Sequence, residues 1–262
     1  NRLIRTVVLA ATTATALVAT ASAATLPPPV LSAPVPFVAS GVVQSGPGAA
    51  YLPDGTLAIV YAREATSDVA VVARDRAATG AETERVLWTA PAGSPAASVG
   101  SPAIATDATG NMLAVWRWKR INAANPSGPP AAIGLVSSYR PAGGTWGAAQ
   151  PLPGTGDVEY RSDPVTLTAD KPGSFIAGYL HTATDLPALS RFTAPGAWSN
   201  PINLATAGSD EQPVIAGRGD GVGIVAWLET AGTGQRLMAR PTGVAGAVPV
   251  ELASDPTYLL TP

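Results

Sequence analysis

One sequence unit, PAIATDATGNMLAVWRW from Pro102, is present in four similar copies along this chain and restricts what the chain can fold into. The other copies begin at Pro47, Pro164 and Pro213. In each copy the proline opens a short apolar run, a glycine turn follows, and a second apolar run ends in an aromatic residue. The turn glycines are Gly55, Gly110, Gly173 and Gly221, and the aromatic residues are Tyr61, Trp116, Tyr179 and Trp227. Such repetition predicts supersecondary units that bury their apolar faces against one another.

Each copy continues into a third apolar run and, after another turn, into a fourth run opened by proline. The segment RPAGGTWGAAQPL, residues 140–152, is such a third-to-fourth turn, where glycines permit positive φ and the proline starts an edge strand. We interpret Trp88, Trp146 and Trp198 as residues that cap the flank of the unit beside this turn. Second runs such as LAIVY and MLAVW are apolar on both faces, which indicates sheets stacked face to face. The alternative, a β-sandwich, favours one polar face per strand.

The sequence therefore predicts an all-β β-propeller of four-stranded antiparallel blades, with four complete blades visible. The blades are expected at about 46–100, 101–161, 162–211 and 212–254. The segment SDPTYLLTP at 254–262 matches SDPVTLTAD at 162–170, so a fifth blade is expected to start at 255. The segment PFVAS at 36–40 resembles the fourth-strand segment PVELAS at 249–254 and fits a strand that closes a ring. Both matches predict an incomplete ring.

Composition argues against several classes of function. The chain has no cysteine, which excludes disulfides, thiol catalysis and cysteine-ligated zinc. With the single histidine His181 a multi-histidine metal site is excluded as well, and we expect no metal and no cofactor. The net charge is −2 without a basic stripe, so nucleic acid is not an expected partner.

The first residues have the pattern of an export signal. Arg2 and Arg5 precede an uncharged apolar stretch, and Ala21-Ser22-Ala23 supplies a small-x-small cleavage site, so we expect a signal peptide over 1–23. The stretch is short and weakly apolar for a membrane span, and no span is expected after cleavage. Residues 24–36 are rich in proline and predict an extended lead-in to the repeats at 37–262. We therefore expect a secreted, extracellular protein, and the excess of arginine over lysine is typical of a GC-rich bacterial genome.

The segment PAIATDATGNMLAVW, together with the later segment YRPAGGTWGAAQPL, resembles a family of secreted bacterial propeller repeats found in sialidase-like proteins. The resemblance runs from Pro47 to the C-terminus and implies the fold, while propellers host lectins, glycosidases, lyases and scaffolds alike. In sialidases an Asp box, Ser-x-Asp-x-Gly-x-x-Trp, occupies the third-to-fourth turn. Here AGGTW at 142–146 stands at that place without the serine and the aspartate. A sialidase-like site also implies three arginines, a Tyr–Glu pair and an aspartic acid, and this chain offers no residue-by-residue match.

Candidate site residues lie in the loops that join second to third strands and one blade to the next, because propellers usually bind ligands at that edge. The longest such loop, RWKRINAANPSGPPAA at 117–132, is the basic and aromatic cluster of the chain. The candidate ligand-binding residues are Trp118, Lys119, Arg120, Asn122, Asp157, Tyr160, Arg161 and His181. Trp118 and Tyr160 are expected to stack on sugar rings; solvated loops with one tryptophan packed against a blade are the alternative. We interpret Asp54, Asp107 and Asp220, which precede turn glycines, as turn formers.

Three functions remain open at this point. The first is a secreted binding or interaction module for extracellular carbohydrate or a cell-surface protein. The second is a sialidase-like glycoside hydrolase with catalytic residues partly outside this chain, and the third is a structural arm of a larger protein. Of these, the sequence favours the binding module over an enzyme, and it indicates no particular oligomer.

Overall fold

The computed structural model describes residues 42–43, 45–64, 69–90, 97–120, 124, 132–153, 165–181, 186–205, 213–231, 234–244 and 246–255. The predicted signal peptide, lead-in and ring-closing strand lie outside these residues, as do residues 256–262, which were expected to continue into a fifth blade. Four of the candidate site residues also lie outside them, namely Asn122, Asp157, Tyr160 and Arg161.

The described strands form four antiparallel sheets, and none of the described residues is helical. The first sheet holds β1 (Val42–Val43), β2 (Gly48–Tyr51), β3 (Leu57–Glu64), β4 (Val69–Arg76) and β5 (Glu82–Thr89). The second holds β6 (Ala97–Val99), β7 (Ala103–Thr106), β8 (Met112–Arg120), β9 (Ala132–Arg140) and β10 (Gln150–Pro151). The third holds β11 (Thr166–Lys171), β12 (Ser174–His181), β13 (Leu186–Thr193), β14 (Ala197–Trp198) and β15 (Ile202–Asn203). The fourth holds β16 (Val214–Gly217), β17 (Gly223–Ala231), β18 (Gly234–Pro241) and β19 (Val250–Asp255).

Each sheet has four strand positions in chain order, even where one position is divided into two short strands. β1 and β2 both pair with β3, and β6 and β7 both pair with β8, so the first position is broken in these two sheets. In the third sheet β14 and β15 both pair with β13, so the fourth position is broken. The pattern is a four-stranded antiparallel blade repeated four times, as the sequence predicts.

The blades are stacked through both faces of their central strands. We name the side of each sheet that carries the repeat aromatic residue the back face, and the opposite side the forward face. The forward face of the first sheet, including Val60, packs against Trp116 on the back face of the second. In the same way Val115 packs toward Tyr179, and Ile176 packs toward Trp227. Successive first strands β2, β7, β11 and β16 contact one another in order. The protein is an all-β β-propeller built from these blades.

Glycine allows the third and fourth sheets to approach closely. A Cβ atom on Gly178 would lie 2.8 Å from Ile215 Cδ1 and 2.7 Å from Thr166 Oγ1. The forward face of β12 therefore has no room for a side chain at this position, where the neighbouring sheets carry Val115 and Ala226. The turn between the first two strands also needs glycine, since Gly110 has a φ of 88°.

The structure corrects one part of the tryptophan interpretation. Trp146 and Trp198 do follow third-to-fourth turns, and the Trp198 Nε1–H donates to Ser137 Oγ of the second sheet at 2.9 Å. Trp88 does not, because the turn after β4 lies at 77–81 and Trp88 lies near the end of the long strand β5. Its side chain packs with the forward-face core of the first sheet instead.

Candidate functional site

The second strands of the four blades end at one edge of the sheets, which we call the loop edge. Two residues beyond each repeat aromatic residue, equivalent positions carry Arg63, Trp118, His181 and Glu229. Side chains two residues apart on a strand share a face, so all four lie on the back faces of their sheets. The repeat thus places four chemically different side chains at the same position of four blades.

Two of these positions are occupied by ion pairs within a blade. Arg63 donates to Glu84 Oε1 at 2.9 Å, and Arg236 donates to the buried Glu229 at 3.1 Å. His181 ends β12 opposite Leu186 and is half-buried. At these positions the structure shows charged or polar strand ends rather than an aromatic surface.

The second blade differs because Trp118 meets Trp88 of the first blade. The two ring centroids lie 5.7 Å apart with an angle of 45° between the ring planes. Both indoles are half-buried and pack on the edge of the core between the first and second sheets. Each ring therefore keeps part of its surface in solvent, while its position is fixed by its neighbours. We call Trp88 and Trp118 the tryptophan pair.

Arg120 extends this site toward the loop edge. It lies two residues after Trp118 and so on the same face, it is half-buried, and its backbone is in register with Ala97 and Ala132 of the adjacent strands. Lys119 lies on the opposite face of β8, beside Ser98 and Ile133. Among the predicted residues, the structure brings Trp118 and Arg120 together on one face, and places Lys119 and His181 on other surfaces.

Trp88 is the site residue that the sequence interpretation assigned to a different role. A β-bulge between Val71 and Val72 shifts the register of β4 against β5, so that Trp88 pairs with Val71 and Val86 pairs with Val72. The extra residue places Trp88 on the forward face, against the second blade. No local sequence signal marks that bulge.

A cavity of about 350 Å³ lies at the opposite edge, between the first and second sheets. Asp75 lines it and accepts a hydrogen bond from Arg140 at 2.8 Å. Burial raises the pKa of Asp75, and the positive charge of Arg140 opposes that rise. A carboxyl group with a raised pKa in a cavity is a candidate acid. Here the Asp75–Arg140 pair joins two blades, which is a structural role.

Asp107 has the most extensive set of hydrogen bonds among the described carboxylates. Its Oδ1 accepts from the backbone N–H of Thr109 and Asn111, at 2.9 and 3.0 Å. Its Oδ2 accepts from Gly173 N–H of the third blade at 2.7 Å. Burial alone would raise the pKa of Asp107, but hydrogen bonds from Asn111, Gly173 and Thr109 hold it below its usual value. The residue is a turn former, as predicted, and it also links two blades.

Asp54 and Asp220, which directly precede the turn glycines of the first and fourth blades, have the local role alone. Asp54 accepts from Thr56 N–H at 2.8 Å, and Asp220 accepts from Val222 N–H at 3.1 Å. These contacts confirm the interpretation of both as turn formers. Within the part of the chain that the structure describes, no three histidine, cysteine, aspartate or glutamate side chains are grouped as a metal site would require. The same part contains no helix long and apolar enough to cross a membrane.

Comparison with known proteins identifies the fold. No protein-family model matches the chain, and no curated protein matches it. Among solved structures, a family PL25 ulvan lyase bound to -[GlcA(1-4)Rha3S]- aligns with a TM-score of 0.51 at 8% identity, over 80% of this chain and 56% of the lyase. A Hadza microbial sialidase aligns with a TM-score of 0.49 at 16% identity, over 83% of this chain and 48% of the sialidase. A family 117 glycoside hydrolase from Zobellia galactanivorans aligns with a TM-score of 0.47 at 13% identity, over 84% of this chain and 71% of the hydrolase. The chain thus spans about half the length of the first two structures, and the likeness to the lyase is one of fold.

Proposed function

We propose that this protein is a secreted carbohydrate-binding propeller in which the tryptophan pair holds a sugar ring. The observation that carries the proposal is the contact between Trp88 and Trp118, with centroids 5.7 Å apart, at the loop edge. Two fixed and partly exposed indoles offer a large apolar surface at low entropic cost, and Arg120 on the same face supplies hydrogen-bond donors for hydroxyl groups. The ulvan lyase that shares this fold was solved with a carbohydrate bound, which is consistent with a ligand of this class.

Binding, rather than hydrolysis, is the function that the described residues support. Hydrolysis by a glycosidase generally requires two carboxyl groups flanking the bond that is cleaved. The tryptophan pair and Arg120 supply no carboxyl group, and Glu84 is paired with Arg63 on the back face of the first sheet, opposite to the face of Trp88. The sialidase-like hydrolase stays an alternative, and turnover of a fluorogenic sialoside by this protein would favour it.

The proposal is tested by gel retardation of the full chain in polyacrylamide containing one soluble polysaccharide at a time. Hydroxyethylcellulose, xylan, polygalacturonate and chondroitin sulfate cover neutral and anionic polymers. We expect at least one of them to retard the protein, and Trp118→Ala and Trp88→Ala to weaken its binding at least tenfold, about 1.4 kcal/mol.

Tyr51→Ala is the matched control, because Tyr51 is an exposed aromatic residue at the far end of β2. It should bind as the unchanged protein does, and thermal unfolding of each variant checks that the blades remain intact. The proposal is wrong if no polymer retards the protein, or if Tyr51→Ala and Trp118→Ala weaken binding equally.

A further inference from the structure

Two cavities flank the turn between the third and fourth strands of the second blade, at the edge opposite to the loop edge. The first, of about 350 Å³, lies toward the first blade, and the second, of about 380 Å³, lies toward the third blade. Thr145 is exposed and forms part of the wall of both, so the two cavities adjoin at this residue. Both volumes are in the range of about 300–1,000 Å³ that is typical of small-ligand sites. We call the two cavities together the turn groove.

The first cavity carries charges of both signs and no net charge. Its polar side chains are Thr83, Arg85, Thr145 and the ion pair of Asp75 with Arg140. Glu84 also borders this cavity, but its carboxylate is paired with Arg63 on the back face of the first sheet. Asp54 is close enough to Arg140 for their charges to interact, so two aspartates balance the two arginines. A neutral ligand rich in hydroxyl groups suits such a wall, because each hydroxyl group both donates and accepts hydrogen bonds.

Several polar groups of the turn groove are available to a ligand. In the described part of the chain, nothing forms a hydrogen bond with the hydroxyl groups of Thr83 and Thr145, the guanidinium of Arg85 or the side-chain amide of Gln150. Arg140 differs from them, because it donates to Asp75 at 2.8 Å and to Gly144 O at 3.0 Å. The groove thus combines a fixed ion pair with side chains that keep their capacity for hydrogen bonds.

The second cavity is apolar and contains an aromatic ring. Apart from Thr145, it is lined by Tyr139, Pro141, Gly147, Ala148, Gln150, Ala194 and Pro195. Tyr139 is half-buried, and its ring packs against Phe192 with the ring centroids 5.2 Å apart. The Tyr139 hydroxyl donates to Asn111 Oδ1 at 3.0 Å, so both ends of this side chain are held in place. The turn groove is therefore polar on one side of Thr145 and apolar on the other.

We propose that the turn groove binds a neutral carbohydrate chain, as a site separate from the tryptophan pair. Sugar units have apolar ring faces and hydroxyl groups at their rims, which match the two halves of the groove. A peptide that docks by strand addition needs unpaired backbone groups on the protein. Here the N–H groups of Gly144 and Gly147 are already bonded, to Pro141 O and Tyr139 O of the same turn. The groove therefore favours a carbohydrate over a peptide.

An NMR titration of the ¹⁵N-labelled full chain with cellotetraose, xylotetraose and maltotetraose, each up to about 20 mM, tests the proposal. We expect at least one of them to shift the amide signals of Gly144 and Gly147 together. Thr145→Met removes the shared hydroxyl and fills the groove from an exposed position, so it should weaken this binding about tenfold, and Arg85→Ala about threefold. Thr79→Met is the matched control, since Thr79 is an exposed threonine in the corresponding turn of the first blade and is not among the residues lining either cavity.

The same titration reads the turn groove and the tryptophan pair separately. Trp118→Ala should leave the shifts of Gly144 and Gly147 in place, with the same dissociation constant. The proposal is overturned if none of the three oligosaccharides shifts these two signals, or if the shifts disappear in Trp118→Ala. Movement of the Trp88 and Trp118 indole signals alone would also overturn it, while leaving the tryptophan pair as a binding site. Equal weakening by Thr145→Met and Thr79→Met would show that the ligand does not occupy the groove.

Discussion

At the scale of single residues, the aspartates in the turns between first and second strands show how one sequence signal serves two purposes. Asp54, Asp107 and Asp220 all precede a turn glycine, and all accept a hydrogen bond from a backbone N–H two residues later. The sequence predicts this local role because side chains of this type fold back on their own backbone. It does not predict that Asp107 also reaches Gly173, since that contact spans 66 residues and depends on how two blades stack.

We predict that Asp107→Ala destabilises the protein by about 3 kcal/mol in urea unfolding at pH 6, since it leaves several part-buried donors of two blades without a partner. Asp54→Ala, which removes an exposed contact to Thr56, should destabilise the protein clearly less, because water can replace that contact. The pKa of Asp107 is lowered in the folded protein, so its carboxylate stabilises the fold fully above the ordinary pKa of 3.8. This stabilisation is lost as the pH falls through the lower folded pKa, and the difference between Asp107→Ala and the unchanged protein should shrink there. Equal costs for the two variants at pH 6 would contradict the inter-blade role.

At the scale of strands, the repeat predicts the second and third strands well because both signals are local. An apolar run between a positive-φ glycine and the next turn is sufficient to mark β3, β8, β12 and β17. The first and fourth strands are harder to predict, since several are broken into two short pieces and are set by pairing with a neighbour. The face of Trp88 follows from the bulge at Val71 and Val72, which is a feature of pairing rather than of composition. Of the tryptophan pair, the sequence could therefore identify only Trp118 as a candidate site residue.

The close approach of the third and fourth sheets gives a prediction at the same scale. Gly178→Ala should destabilise the protein by about 1–3 kcal/mol, since its Cβ would lie within 2.8 Å of Ile215 and Thr166 atoms. Gly100→Ala is the matched control, because its Cβ would meet no atom nearer than 3.8 Å, and we expect an effect within about 0.5 kcal/mol. Chemical denaturation measures both. A neutral Gly178→Ala would mean that these sheets are not packed as described.

At the scale of the whole molecule, the sequence repeat explains why the blades stack in the same way and why residues that depart from the repeat are easy to recognise. Forward face packs on back face three times, with a large aromatic residue buried in each junction. Because the scaffold is the same in each blade, differences between equivalent positions stand out, as Trp118 does among Arg63, His181 and Glu229. The fold could be predicted from the repeat, whereas the partner of Trp118 depends on contacts between blades. Function in such a fold is carried by these departures from the repeat.

The most direct test of the carbohydrate-binding account is an NMR titration of the tryptophan indole N–H signals. The chain has six tryptophans, so six signals are available, and Trp88→Phe and Trp118→Phe assign the two that matter. On addition of an oligosaccharide from the polymer that retards the protein, we predict that the signals of Trp88 and Trp118 shift together. The buried signals of Trp116, Trp146 and Trp227 should remain in place. Binding that leaves the Trp88 and Trp118 signals unmoved would contradict the account.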